Sequence, residues 1–87
     1  MKVLFNIKAL QEFKWFVDNN KKIAKRILLL VRSIEEDPFK GNGKPKPLKH
    51  EIKGTWSRRI DAKNRMIYRI IDNDTIEIVR CKGHYYD

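Results

Sequence analysis

The 87-residue chain predicts an α+β domain of order β-α-α-β-β-β-β, an antiparallel sheet with an N-terminal helical hairpin packed on one face. Three observations predict it. Apolar residues between 21 and 36 recur at helical spacing. After Trp56 the chain breaks into runs of strand length, rich in alternating and β-branched residues. Asn19-Asn20, Asp37-Pro38 and Asp72-Asn73-Asp74 punctuate the chain, so helices come first and consecutive strands follow.

Residues 3–7 read as a first strand. Residues 9–19 follow as a helix with Leu10, Phe13, Phe16 and Val17 at helical spacing, ending at Asn19-Asn20. Residues 21–36 carry Ile23, Ile27, Leu30, Val31 and Ile34 on one stripe, with Lys21, Lys22, Lys25, Arg26 and Arg32 mostly elsewhere. Pro38 ends this helix, because proline disfavours helical backbone in the residue before it. The lysine-rich helix face reads as solvated surface. Residues 39–47 form a Gly- and Pro-rich loop, and 48–53 can form a short strand. Residues 56–61 alternate, with Trp56, Arg58 and Ile60 on one face and Ser57, Arg59 and Asp61 on the other. A turn at 62–64, a strand over 65–71, a turn at 72–74 and a last strand over 75–82 complete a single domain spanning 1–87, with no internal repeat or linker.

A chain this short buries only about 60–65% of its unfolded surface, so the core is thin and a shallow surface site is expected rather than an enclosed pocket. The net charge is +9, from 20 basic and 11 acidic residues. The excess is spread along the chain, so its clustering matters more than its total. Residues 41–59 hold Lys44, Lys46, Lys49, Lys53, Arg58 and Arg59 against one acid, Glu51. That pattern points to nucleic acid or an acidic protein as partner. The single cysteine, Cys81, excludes an intrachain disulfide and suits a reducing cytoplasm; strand alternation places it in the core. The charge-interrupted N-terminus does not read as a signal peptide, and no apolar run approaches the length of a membrane span.

No phosphate-binding glycine loop, metal-ligand spacing or Ser-His-Asp arrangement is present. The residues with chemical potential are Lys44, Lys46, Lys49 and His50 around the second strand, Arg59 on the third, Arg65 opening the fourth, and His84-Tyr85 after the fifth. In a meander these can converge at one sheet edge. Metal-free RNA cleavage needs a base for the 2′-hydroxyl, cations for the phosphorane and an acid for the leaving 5′-oxygen. Imidazole, guanidinium and a stacking tyrosine are suitable types. Each also has a plainer role: Arg65 can pair with Asp61, Arg58 and Arg59 can be surface charges, and the tyrosines can anchor the tail. Composition and spacing alone support a basic α+β nucleic-acid binder and leave the reaction open.

The order of these residues resembles the YoeB-type toxins of the RelE/ParE superfamily, whose pattern reads roughly PF-x-G-x-GKPEPLKH-x-L-x-G-x-WSRRI-x-x-x-x-R-x-x-Y with a C-terminal HY. The matching pieces are Pro38-Phe39, Gly41, Gly43-Lys44-Pro45, Pro47-Leu48-Lys49-His50, Gly54, Trp56-Ser57-Arg58-Arg59-Ile60, Arg65, Tyr68 and His84-Tyr85. The resemblance covers essentially the whole chain. It implies a RelE/YoeB-like, microbial-ribonuclease-like domain and a bacterial, cytoplasmic type II toxin–antitoxin system. It implies a toxin that cleaves mRNA in the ribosomal A site without metal or cofactor. Its partners would be the ribosome, mRNA and a YefM-like antitoxin, with a homodimer possible and operator DNA reached only through the antitoxin complex. Carried over by position, His84 is the general acid, Arg65 stabilises the phosphorane and Tyr85 positions the substrate. Lys49 and Arg59 bind backbone phosphate, and Lys44, His50 and Arg58 belong to the same RNA-binding set. The HY ending and the WSRRI segment argue against a gyrase-inhibiting, ParE-like role.

One position departs from the pattern. Lys46 stands where the family has its general base, a glutamate between two prolines. An ordinary lysine, with a pKa of about 10.4, is protonated at neutral pH and accepts no proton. Three readings follow: Lys46 is an electrostatic group, as in the lysine-rich site of the RelE branch; Glu51 substitutes as base; or catalysis is impaired and the chain is an antitoxin- and ribosome-binding module that co-regulates transcription.

Overall fold

The computed structural model describes residues 1–83. Strand β1 (Lys2–Phe5) leads into helix α1 (Ile7–Asn19) through Asn6, whose side-chain oxygen accepts the Ala9 N–H at 2.8 Å. This cap starts the helix two residues before the predicted 9, because an N-cap oxygen satisfies one of the donors that the first turn leaves free. Asn20 serves both helices. Its N–H donates to the Phe16 carbonyl at 2.7 Å, and its side chain accepts from Ile23 N–H at the start of α2 (Lys21–Glu36). Helix α2 has the predicted bounds and stops at Asp37, whose extended backbone precedes Pro38.

The remaining strands are β2 (Lys46–Pro47), β3 (Thr55–Arg59), β4 (Arg65–Asp72) and β5 (Thr75–Arg80). They form one sheet of order β1-β5-β4-β3-β2. Neighbours from β2 to β5 are antiparallel, as expected, but β1 lies parallel to β5, so the sheet is mixed. The parallel register sets Val3 beside Ile76 and Phe5 beside Ile78. That places both apolar pairs on the face covered by the helices, a pairing that no local pattern in β1 specifies.

The strand expected over 48–53 is absent. A strand reaching Lys53 would leave only Gly54 to reverse the chain before β3. Instead β2 is two residues long, Leu48 N–H donates to the Thr55 carbonyl, and 48–54 close as turns.

The core lies between the helices and one sheet face. Ile27, Leu30 and Ile34 of α2 and Ala9 and Phe16 of α1 meet Met66, Tyr68, Ile76, Ile78, Ile60 and Cys81. Of the apolar residues noted on α1, Leu10 and Val17 face outward, and the small Ala9 takes an inner position. No helix among the described residues is long and apolar enough to cross a membrane.

Candidate functional site

Strand alternation divides the cations of this region into two populations. On β3, Trp56 and Arg58 face the helices, so Ser57 and Arg59 face the open side. On β4, Met66 and Tyr68 are core residues, so Arg65 and Ile67 face the open side. Arg59 pairs directly with Arg65, and Lys46 pairs with Ser57. The sheet face turned away from the helices therefore carries one row Lys46–Ser57–Ile67, in which Ser57 and Ile67 are buried and Lys46 is exposed, and, two residues along β3 (about 7 Å), a row Arg59–Arg65. Like charges directly opposite on a ladder repel. Among the described residues none of these three cations is in an ion pair. Asp61 does not neutralise Arg65, because its carboxylate accepts from Lys63 N–H, Asn64 N–H and the Asn64 side chain.

Arg58 requires a correction. Expected to bind RNA phosphate, it is completely buried. Nε donates to the Tyr68 hydroxyl at 3.1 Å. Nη1 donates to Ser33 Oγ at 2.6 Å and to the Asn42 carbonyl at 3.1 Å. Nη2 donates to the carbonyls of Asp37 at 2.7 Å and Lys40 at 3.0 Å. All five guanidinium donors are thus engaged, and none is left for a ligand. Tyr68 in turn donates to the Pro38 carbonyl at 2.6 Å. Burial raises its pKa, against the opposing effect of Arg58. Arg58 and Tyr68 thereby fold the 37–43 loop onto the sheet edge. Phe39 packs on Trp56 with ring centroids 5.1 Å apart, and a Cβ at Gly41 would collide with Ser33 Oγ. From this loop the Gly43 carbonyl accepts Arg59 N–H at 2.7 Å, which aligns Lys44 and Lys46 alongside β3.

Lys44, exposed with a left-handed φ of +52°, stands between loop and β2. Lys49 and His50 are exposed on the turn after Leu48, and Glu51 lies on that same turn rather than on a strand. His84 and Tyr85 lie outside the described residues. Gly83, immediately before them, is held: its N–H donates to Asn64 Oδ1 at 2.9 Å, and its carbonyl accepts Arg65 N–H at 2.9 Å. Sequence reasoning passed over Asn64. The available signal was an Asp-x-x-Asn turn directly before Arg65. It also passed over Ser57, whose buried hydroxyl has no hydrogen-bond partner among the described residues.

The model of the YoeB-like toxins of bacterial type II toxin–antitoxin systems matches residues 5–85. The chain belongs to this toxin family. It is 46% identical to a Toxin YoeB of Synechocystis, over 98% of each chain. Its fold matches the YoeB dimer from Staphylococcus aureus with a TM-score of 0.89 and 37% identity, again over 98% of each chain. It also matches the toxin in the heterotetrameric YoeB–YefM complex from Staphylococcus aureus with a TM-score of 0.86, 37% identity and 98% coverage of each. The 37–43 loop that Arg58 and Tyr68 hold leads directly into Lys44 and Lys46 beside β3.

Proposed function

We propose that the chain is a ribosome-dependent mRNA endoribonuclease, the toxin half of a toxin–antitoxin pair, working by metal-independent acid–base chemistry. The observation that carries this reading is the cross-strand pair Arg59–Arg65 with Lys46 one row away, all on the open face. In the reaction the ribose 2′-oxygen loses its proton and attacks the adjacent phosphorus. A 2′,3′-cyclic phosphate forms, the bond to the 5′-oxygen breaks, and that oxygen takes a proton. Arg65 and Arg59 stabilise the phosphorane charge, Arg65 by its planar fork. His84 supplies the proton and Tyr85 positions the substrate. Lys49, Lys44 and His50 hold flanking backbone. Lys46 and Arg59 are exposed and Arg65 is half-buried, a shallow arrangement in which placement of the RNA is left to the ribosome.

Lys46 adds a third cation and supplies no carboxylate. The 2′-hydroxyl proton then passes to solvent, and cleavage is slow. The same residue favours a second reading, a binding module that docks on the ribosome or antitoxin without cutting. A YefM-like antitoxin is the proposed partner by analogy with the Staphylococcus aureus YoeB–YefM complex, and the Staphylococcus aureus YoeB dimer supports a homodimer as a second partner. Translation-coupled cleavage of mRNA by the native chain and by Lys46→Glu tests both readings. Restoring a general base is worth about 10²–10⁴-fold, so slow cutting by the native chain and faster cutting by the variant are expected. If neither protein cuts while both bind antitoxin, the enzyme reading fails.

A further inference from the structure

The turn between β3 and β4 does more than reverse the chain. Asp61 closes it by accepting the N–H groups of Lys63 at 2.8 Å and Asn64 at 2.7 Å, while Asn64's carbonyl accepts from Ile60 and Asp61. That network would satisfy an ordinary turn. Asn64 nevertheless buries its side chain, leaving 9% exposed, and uses it elsewhere. Its Nδ2 donates to both Asp61 oxygens, at 3.1 and 3.3 Å. The acidic partner fixes which way the amide faces, because only the NH₂ end can donate to a carboxylate. Oδ1 is thereby aimed away from Asp61, and it accepts the Gly83 N–H, 19 residues further along the chain. The next residue, Arg65, closes the other side of Gly83 through its backbone N–H. Gly83 is held by both of its backbone groups at φ +97°, a conformation that suits glycine.

We propose that Asn64 is a positioning residue: oriented by Asp61, it latches Gly83 beside Arg65 and so fixes the residue that directly precedes His84 in the sequence. The inference rests on the endoribonuclease reading, in which Arg65 and the residues after Gly83 act on one phosphate. Arg65 then has two tasks. Its side chain stabilises charge on the sheet face, and its backbone N–H holds Gly83, next in sequence to the proposed acid His84. Misplacement by about 1 Å costs about 10²-fold in rate, so a latch of two hydrogen bonds matters to chemistry more than to stability.

The test uses the full chain with Asn64→Ala, Asn64→Asp and the exchanged pair Asp61→Asn/Asn64→Asp. The first loses the acceptor. The second keeps an acceptor and sets two carboxylates against each other. The third restores one donor and one acceptor between the two positions. Amide exchange at Gly83, followed by NMR, is expected to quicken about tenfold in Asn64→Ala. In the cleavage assay kcat is expected to fall about 10²-fold with KM unchanged, while the exchanged pair recovers both readouts. Unchanged Gly83 exchange in Asn64→Ala overturns the latch. Faster exchange with unchanged kcat, or a loss that the exchanged pair leaves unrepaired, overturns the positioning role. A native chain that leaves mRNA intact overturns the functional reading and the positioning role together, and the exchange measurement still decides the latch.

Discussion

At the scale of single residues, two fully buried side chains, Arg58 and Cys81, do opposite jobs. In the interior, carbonyls and hydroxyls replace the water around the Arg58 guanidinium, with no carboxylate bonded to it among the described residues. Tyr68 links that guanidinium to the Pro38 carbonyl, so Tyr68→Phe leaves one donor and one acceptor unmatched. A loss of about 1–3 kcal/mol in urea unfolding is expected; a midpoint equal to that of the native chain would show the hydroxyl to be dispensable. Cys81, by contrast, resists charge. Burial, reinforced by the Glu12 carboxylate and opposed by Arg80, pushes its thiol from 9.0 up to about 12. The folded state therefore holds the proton that the unfolded chain releases. The contribution to stability is complete below pH 9 and is lost as pH rises through 12. Thermal melts should show the midpoint falling above pH 9, and Cys81→Ala should flatten that fall. Native protein should resist iodoacetamide at pH 8 and react once unfolded, since the thiolate is the nucleophile. Rapid labelling of the folded chain would contradict the burial argument.

At the scale of elements, the 37–43 loop joins sequence to site. Gly41 combines a φ of +121° with a position where a side chain would strike Ser33 Oγ, the atom that Arg58 Nη1 also needs. Gly41→Ala is expected to destabilise by about 1–3 kcal/mol through strain and collision together. Ser33→Ala in the same chain removes the collision and leaves the backbone strain. The two substitutions should therefore be non-additive in a double-mutant cycle. Strict additivity would separate the loop from the guanidinium clamp. The same loop shows where sequence reading stops. Helix α2 was legible because its stripe, its flanking Asn20 and its Pro38 are all local signals. Alternation likewise placed Arg58 on the Trp56 face, yet its charge suggested a ligand contact. Only three-dimensional convergence of the Asp37, Lys40 and Asn42 carbonyls makes it internal. The parallel partner of β1 and the Asn64–Gly83 bond are also long-range pairings, 73 and 19 residues apart, which leave no trace in local periodicity. Pleat parity and the short turn at 62–64 are enough to put Arg59 and Arg65 on one face, whereas Lys46, read as loop, joins that face only through the unforeseen pairing of β2 with β3.

At the scale of the whole molecule, the proposed function raises the question of which part of a net charge of +9 would meet RNA. The basic residues divide by placement: Arg58 is interior, Lys22 and Lys25 are on the outward side of α2, and Lys46 and Arg59 are on the open sheet face. Each phosphate neutralised on a single strand releases bound counterions, lowering the slope of log K against log salt by about 0.7. Net charge acting as a diffuse field would make every surface cation count alike. A formed site would concentrate the effect on its own cations. Binding of a non-cleavable, 2′-deoxy-substituted RNA over a range of salt separates these cases. Arg59→Ala and Lys46→Ala should each weaken binding and flatten the slope by about 0.7, whereas Lys25→Ala should change the affinity little and the slope not at all. Equal flattening by Lys25→Ala would mean that RNA is held by overall charge, and the open face would lose its claim to be the site. Flattening confined to the Lys46 and Arg59 variants would tie the domain's recognition of RNA to one sheet face, with the helical hairpin serving as its support.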